Sequence, residues 1–335
     1  MSTILVTDYS WPTLDIEREI LARVGAELVV ADTGTEDELV DLAADVDAIL
    51  TCWKPVTARV LEAARSCRTV GRYGVGLDNI DVECATRLGV IVSNVPEFCT
   101  EEVADHTLAL ILGHTRKVAQ FAQQTATGGW DNKEFGALKR LRNRTVGLVG
   151  FGAIGRAVAH RVQAFGMNVV AFSPSQAGKR EDAGVTFTRT LDELLACADI
   201  LSLHLPANPA TTGIIGAREL GLLPAGAVVI NTSRGALIDE SALLDALERN
   251  TLAGAALDVM ATEPPGKDHP LRHRQDVILT PHAAFISDEA VADLQRTAAT
   301  NVAAVLRGEL PSHVVNAQVI DSPHARFSTR NTALT

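Results

Sequence analysis

The chain lacks any cysteine arrangement that could staple a fold or hold a metal. Its five cysteines, Cys52, Cys67, Cys84, Cys99 and Cys197, are scattered through 335 residues, with no Cys-x-x-Cys pair and no metal-type His/Cys spacing. Disulfides and zinc are therefore excluded as organising devices; the thiols read as small core or surface residues in a reducing cytosol, and no metal is expected. Basic charge is also short: a formal net charge of −11 excludes a general nucleic-acid or anionic-membrane surface, although a small pocket can still be locally positive. The cluster Lys139, Arg140, Arg142 and Arg144 accordingly reads as a solvated linker edge. Nowhere is there an apolar run of about 18 residues. The strand-like start, residues 3–7, runs straight into Asp8 with no basic leader. The expectation is a soluble, cytoplasmic protein with no nucleic-acid and no membrane partner. No internal repeat or low-complexity tract is evident.

What is present is ordinary globular material, 47% apolar, in a chain long enough for two domains of roughly 100–200 residues each. β-rich runs at residues 4–6, 27–30, 48–51, 69–71 and 90–93 alternate with helical patterns at 16–24, 36–43, 58–64 and 82–88. Such alternation with short connections predicts a parallel α/β sheet. One long helix is predicted over 101–123, with Thr100 as N-cap and Glu101 and Glu102 in the first turn, where the helix dipole favours negative charge. A loop over 127–141 follows. A second α/β unit has strands at 146–149, 168–172, 200–204, 227–231, 255–259 and 277–280. A closing helix over 288–306 runs into Gly308, residues 309–319 read as a return strand or ordered tail, and residues 321–335 as a mobile tail.

Gly150-Phe151-Gly152-Ala153-Ile154-Gly155 follows the apolar strand 145–149 and opens a helix whose face is Ile154, Val158, Val162 and Phe165. In a strand–turn–helix of this form Gly150 permits the tight turn. Gly152 lets the backbone approach a pyrophosphate, Gly155 allows close helix–strand packing, and the helix N-terminus at Ala153 and Ile154 faces the phosphate charge. At the end of the next strand, where an acid would grip the adenosine ribose, stands Ser173. It neither repels a 2′-phosphate nor holds two ribose hydroxyls, so NAD and NADP both remain open. Lys179 and Arg180 follow and can pair with a phosphate or stand in solvent.

Downstream lie three islands: Asn231-Thr232-Ser233-Arg234-Gly235, Thr262-Glu263-Pro264-Pro265 and Thr280-Pro281-His282-Ala283-Ala284. An arginine can grip a carboxylate with two parallel bonds, and a histidine moves a proton near neutral pH. A glutamate beside the histidine stabilises the imidazolium. With a nicotinamide, that set suits the interconversion of a 2-keto acid and a 2-hydroxy acid.

These residues, together with Gly74-Val75-Gly76-Leu77-Asp78-Asn79, Val103-Ala104-Asp105-His106 and His204-Leu205-Pro206, occur in one order along the chain. In that order they resemble the D-isomer-specific 2-hydroxyacid dehydrogenase family over nearly the whole sequence. The spacings from Arg234 to Glu263 to His282, 29 and then 19, suit it too. The resemblance implies two doubly wound parallel-sheet lobes: a Rossmann dinucleotide-binding domain (101–289) inserted into a flavodoxin-like substrate domain (1–100 plus 290–320), a cleft between them, and a homodimer formed through the nucleotide lobe. By the same resemblance His282 is the general acid/base, Glu263 orients it, and Arg234 holds the substrate carboxylate and polarises the carbonyl. The backbone amides of Val75 and Gly76 bind the other side of the carboxylate. Asp258 meets the nicotinamide carboxamide, and His204, Leu205, Pro206, Thr232, Ser233, His282 and Ala284 join it among the cofactor contacts.

The substrate rests on the loop Thr51-Cys52-Trp53-Lys54-Pro55 and on Phe285. Trp53 and Phe285 can wall off a larger side chain, whereas Lys54 and Arg72 can meet a phosphate. The phosphoglycerate dehydrogenase branch shares the Gly71-Arg72…Gly74-Val75-Gly76 run, but this chain is expected to lack the extra C-terminal regulatory domain of many of its members. Asn94-Val95-Pro96, Thr100-Glu101-Glu102 and His282-Ala283-Ala284-Phe285 are similar to the C-terminal-binding-protein branch. That likeness implies the alternative: a dinucleotide-sensing, oligomerising regulatory protein with little turnover.

Overall fold

A computed structural model describes residues 1–176 and 181–327. The chain divides into two compact units, Met1–Phe98 with Ser287–Thr335, and Cys99–Ile286.

Unit 1 is built on five parallel strands: β1 (Ser2–Val6), β2 (Ala26–Val30), β3 (Ala48–Thr51), β4 (Thr69–Arg72) and β5 (Ile91–Ser93). Their spatial order is β2-β1-β3-β4-β5. Strands β3, β4 and β5 have every residue buried, as expected where helices cover both faces of a sheet. One apolar layer joins Leu50 and Val6 to Leu294, Ala298 and Val302 of the helix Asp288–Arg307. The other joins Ile49 and Val70 to Leu39, Val60 and Leu61. Helix Asp288–Arg307 starts where the Ser287 side chain accepts from the Ala290 amide, and stops at Gly308, whose φ of 83° is the left-handed turn that glycine takes without cost.

The segment after that helix forms one isolated antiparallel bridge, Ser93 to Val314, and no return strand. Asn316 fixes it there: its amide oxygen accepts from Val92 N at 2.8 Å and its Nδ2 donates to the Val90 carbonyl at 2.9 Å. Of the tail expected to be mobile, residues 321–327 instead lie on unit 1. Phe327 is buried with Ile91, Val305 and Val319, and the Arg326 guanidinium donates to the Ala64 carbonyl. Residues 328–335 lie outside the described residues.

Unit 2 carries β6 (Thr145–Val149), β7 (Asn168–Phe172), β8 (Glu181–Asp182), β9 (Val185–Phe187), β10 (Ile200–Leu203), β11 (Ala227–Asn231), β12 (Leu252–Leu257) and β13 (Val277–Leu279). Their order is β13-β12-β11-β10-β6-β7-β9-β8, and all pairs are parallel except β8 with β9. Strand order reverses beside β1 in unit 1 and beside β6 in unit 2, so both sheets are doubly wound, flavodoxin-like and Rossmann-like respectively. The pair β8 and β9 is absent from the sequence expectation; at two and three residues, these strands are too short to show a period.

The single helix expected over 101–123 is two helices, Thr100–Thr115 and Val118–Ala126, because Lys117 between them sits at a φ of 54°. A left-handed residue ends the run of intrahelical hydrogen bonds. The N-cap position falls on Cys99 rather than Thr100, with no side-chain cap bond.

Candidate functional site

The cofactor motif sits at the reversal point of the unit 2 sheet, between the ends of β6 and β10. Gly150 has a φ of 100°, and a Cβ there would lie 2.3 Å from the His204 carbonyl oxygen, so only glycine lets β6 turn this close to the β10 loop. A Cβ on Gly155 would lie 2.6 Å from the Gly150 oxygen, which is the close packing expected of it. At Gly152, by contrast, a Cβ would meet nothing within 4 Å. That open face lies at the start of helix Ala153–Ala164, whose first amides have no intrahelical acceptor. Open space, free amides and a helix dipole fit a pyrophosphate. Ser173 follows β7, whose last residue, Phe172, accepts the Gly150 amide at 2.9 Å. Lys179 and Arg180 lie outside the described residues.

His204 closes one side. Its Nε2 is 2.9 Å from Ser202 Oγ, its buried Nδ1 has no partner among the described residues, and burial pushes its pKa down to about 4. It is therefore neutral at pH 7, with one polar atom suited to a ligand.

The three islands converge at the ends of β11, β12 and β13. After β11 the Asn231 side chain folds the loop back: its Nδ2 donates to the Arg234 carbonyl at 2.8 Å, and its Oδ1 accepts the Ser233 amide at 3.0 Å. Ser233 Oγ donates to the Leu203 carbonyl at 2.6 Å, and Thr232 Oγ1 lies 2.9 Å from Thr107 Oγ1. The next residue, Gly235, runs so close to β12's exit that a Cβ would sit 1.9 Å from the Met260 carbonyl carbon. Arg234 is thus held by its backbone, with its guanidinium half-buried and one nitrogen donating to the Ser233 carbonyl.

His282 Nδ1 is 2.7 Å from Glu263 Oε2, and Glu263 Oε1 accepts the Met260 amide at 2.9 Å. Burial would raise the Glu263 carboxyl. The bond to His282, the imidazole charge, the Met260 amide and the field of Arg234 together outweigh it and hold the group below its ordinary value. Glu263 is therefore an acceptor at neutral pH, which fixes a proton on Nδ1. Phe285 stands edge-on to the imidazole, with ring centroids 6.3 Å apart.

The histidine's own backbone is left-handed, at a φ of 54°. Asp258, at the end of β12, holds it there. Its carbonyl accepts the His282 amide at 2.8 Å; its buried carboxylate accepts Ala283 N and Ala284 N, each at 2.9 Å, and Thr280 Oγ1 at 2.5 Å. Hydrogen bonds to a charged acceptor contribute about 1.5–3 kcal/mol each, more than the roughly 1–2 kcal/mol that a left-handed residue costs. His106 Nε2 completes the group at 3.0 Å from Thr280 Oγ1. The anchoring of the histidine loop by Asp258, Thr280 and His106, and the turn made by Asn231, escaped sequence reasoning. Leu205, Pro206 and Ala284 line the same strand ends, with Ala284 buried.

Within unit 1, Gly74 takes a φ of 146° and starts the Val75 and Gly76 loop. The carbonyls of Gly74, Val75 and Gly76 accept from Val95 N, Asn94 Nδ2 and Arg72 Nε at 3.0, 2.8 and 3.0 Å. Among the described residues no acceptor takes the amide of Val75 or of Gly76, which leaves two adjacent donors. Arg72, expected to be available for a phosphate, is buried and holds the carbonyls of Tyr73 and Gly76. Asp8, singled out by nothing in the sequence but its place just beyond β1, organises the loop after β3. Its carboxylate accepts the amides of Cys52, Trp53 and Lys54 at 3.0, 2.8 and 3.2 Å.

A dinucleotide-binding sheet bearing an arginine and a glutamate-bonded histidine at its strand ends defines an oxidoreductase-type architecture. Comparison with known proteins gives the family. Residues 108–284 match the model of the D-isomer specific 2-hydroxyacid dehydrogenase NAD binding domain. The chain is 40% identical to a D-3-phosphoglycerate dehydrogenase of Methanocaldococcus jannaschii over 318 residues, which is 94% of this chain and 60% of that protein. It is 38% identical to a glyoxylate reductase of Aeropyrum pernix over 291 residues, covering 85% and 87% of the two chains. Among solved structures, an NADPH-dependent glyoxylate/hydroxypyruvate reductase of Sinorhizobium meliloti, in complex with NADP and malonate, superposes with a TM-score of 0.84 at 30% identity, covering 98% of this chain and 99% of that one. The chain belongs to the D-isomer specific 2-hydroxyacid dehydrogenase family. It spans about 60% of the length of the phosphoglycerate dehydrogenases it matches. A nicotinamide dinucleotide, NAD or NADP, is the cofactor class of the matched domain. Among the described residues no helix is long and apolar enough to cross a membrane.

Proposed function

We propose that the protein is an NAD(P)-dependent oxidoreductase that interconverts a small 2-keto acid and the D-2-hydroxy acid. The observation that carries this reading is the 2.7 Å bond between His282 Nδ1 and Glu263 Oε2, in the same unit as the glycine turn. When bound, the nicotinamide supplies or takes the hydride; the chain supplies position and charge. In reduction His282 Nε2 delivers a proton to the substrate carbonyl oxygen, and in oxidation it removes the hydroxyl proton. Glu263 holds the imidazole in orientation through that bond. The Arg234 guanidinium grips the substrate carboxylate and favours the charge that grows on the carbonyl oxygen. The amides of Val75 and Gly76 take the other carboxylate oxygen, and Trp53, Lys54 and Phe285 are assigned to the substrate's remaining groups.

The phosphate-binding run Gly150, Gly152, Ala153, Ile154 and Gly155 is assigned to the pyrophosphate. Thr232, Ser233, His204, Leu205, Pro206, Asp258, His282 and Ala284 are assigned to the nicotinamide half. Ser173 carries no charge to repel a 2′-phosphate, so NADP is accepted alongside NAD; the NADP bound by the Sinorhizobium relative supports this. A homodimer is the proposed assembly. Helix Val118–Ala126 has no buried residue although Val118, Phe121 and Ala122 lie on it, and Trp130 beside it is 90% exposed. Light scattering on the purified chain checks the mass.

His282→Ala tests the chemistry. Reductive turnover should fall about 10²- to 10⁴-fold, a far larger loss than that of dinucleotide affinity. Unchanged turnover would remove His282 from the reaction. Wild-type protein that binds NAD(P)H yet oxidises it with no 2-keto acid would instead favour the regulatory role of the C-terminal-binding-protein branch.

A further inference from the structure

The chain has only two tyrosines and three tryptophans. Both tyrosines and two of the tryptophans, Tyr9, Trp11, Trp53 and Tyr73, lie in the segments that follow β1, β3 and β4. Strands β1 and β3 flank the reversal point of the unit 1 sheet, the place where doubly wound sheets take ligands. The four residues form a base and a rim. Trp11 and Tyr73 are buried and meet edge to face, with centroids 4.8 Å apart; Tyr9 leans on Trp11 at 6.0 Å. Tyr9 is 38% exposed and Trp53 40%. Trp53 Nε1 donates to Ser10 Oγ at 2.8 Å, so its one polar atom is used inward and its exposed area is π face and ring edge. The Arg72 carbon at the centre of the guanidinium lies 5.7 Å from the Trp53 ring centroid, which fixes the indole plane.

Two of the polar groups of this region are committed elsewhere. The three amides after β3, a ready anion nest, are filled by the Asp8 carboxylate, which adds a negative charge where a phosphate would sit. Arg72 holds the carbonyls of Tyr73 and Gly76. Flat apolar rings with a plugged anion nest reject a dianion and favour a flat uncharged group.

We infer that unit 1 recognises an aryl group, so that the substrate is a 2-keto acid with an uncharged aromatic side chain rather than a phosphorylated or side-chain-free one. This rests on the reaction proposed above. The test measures kcat/KM for phenylpyruvate, pyruvate, glyoxylate and 3-phosphohydroxypyruvate with NADH and NADPH, for wild type, Trp53→Ala and Trp53→Phe. Phenylpyruvate should exceed the other three by about tenfold or more. Trp53→Ala should lower kcat/KM for phenylpyruvate more than for the other three substrates and so erase that margin, and Trp53→Phe should restore most of it. A wild-type preference for glyoxylate or 3-phosphohydroxypyruvate, or an equal loss on all substrates in Trp53→Ala, overturns the inference. If no 2-keto acid is turned over, the reaction assignment fails by itself. Calorimetry of D-phenyllactate against D-lactate on NAD-loaded protein then decides this inference: tighter phenyllactate binding upholds it and equal binding ends it.

Discussion

The histidine loop of unit 2 and the strand ends of unit 1 use their polar groups in opposite ways. In unit 2 the buried carboxylate of Asp258 and the side chain of Asn231 hold backbone, and Arg234 and the His282–Glu263 pair are presented at the strand ends with charge suited to a reaction. In unit 1 two charged side chains turn inward. Asp8 fills the amide nest and Arg72 clamps two carbonyls, leaving aromatic rings and two amides. Chemistry needs charge placed where it develops, whereas discrimination between side chains needs shape and the absence of the wrong charge. The same parallel-sheet architecture meets each need by choosing which polar groups face backbone.

The largest break in that contrast is expected at Arg234. Arg234→Ala should lower kcat/KM by about 10³-fold, with both KM and kcat affected, because one group serves binding and charge stabilisation. Steady-state kinetics check it, and an effect on neither parameter would take Arg234 out of the site. Next comes Glu263→Gln, which keeps the shape but removes the charge beside His282 Nδ1. Reduction should fall roughly 10- to 100-fold. Steady-state kinetics read it, and an unchanged rate would take Glu263 out of the reaction.

The contrast also explains what was legible in the sequence. Gly150, Gly152 and Gly155, and the islands of Arg234, Glu263 and His282, are read locally because each function needs a particular residue within a few positions of a strand end. Asp8 was not legible, since its partners lie 44 to 46 residues away and only the strand order brings them together. Asp258 was read for a cofactor contact, while its grip on Ala283 and Ala284 depends on β12 and β13 lying side by side. The break at Lys117 and the short pair β8 and β9 escaped for a different reason: neither leaves a periodic signal. Phe327 was hidden by its polar surroundings, since its burial depends on Ile91, Val305 and Val319 from distant elements.

Cofactor choice should respond more modestly. Ser173→Asp should shift the NADP/NAD ratio of kcat/KM toward NAD by about tenfold, because a carboxylate repels a 2′-phosphate and accepts from ribose hydroxyls. Parallel assays with both cofactors read it, and an unmoved ratio would place the ribose elsewhere.

The smallest effect concerns what supports the aromatic base of unit 1. Glu17, fully buried on helix Asp15–Ala22, accepts Gln295 Nε2 at 2.9 Å. The Tyr73 hydroxyl and Trp11 indole lie near it without forming hydrogen bonds of ordinary geometry. Burial raises the Glu17 carboxyl above its usual range, against the weaker opposing pull of these donors. A carboxyl raised in the folded state binds its proton more tightly there than in the unfolded chain. Its contribution is therefore fully present below the unfolded value of about 4.5 and is lost as pH rises through the folded value. Glu17→Gln removes that dependence while keeping the size of the side chain. Relative to wild type, the variant should gain stability as pH rises above about 4.5, by about 1.4 kcal/mol for each pH unit by which the folded group is raised. Urea unfolding across pH 4 to 8 measures the difference. A gap that stays constant over that range would mean that Glu17 keeps the same proton affinity folded and unfolded, and that the aromatic base does not depend on its ionisation.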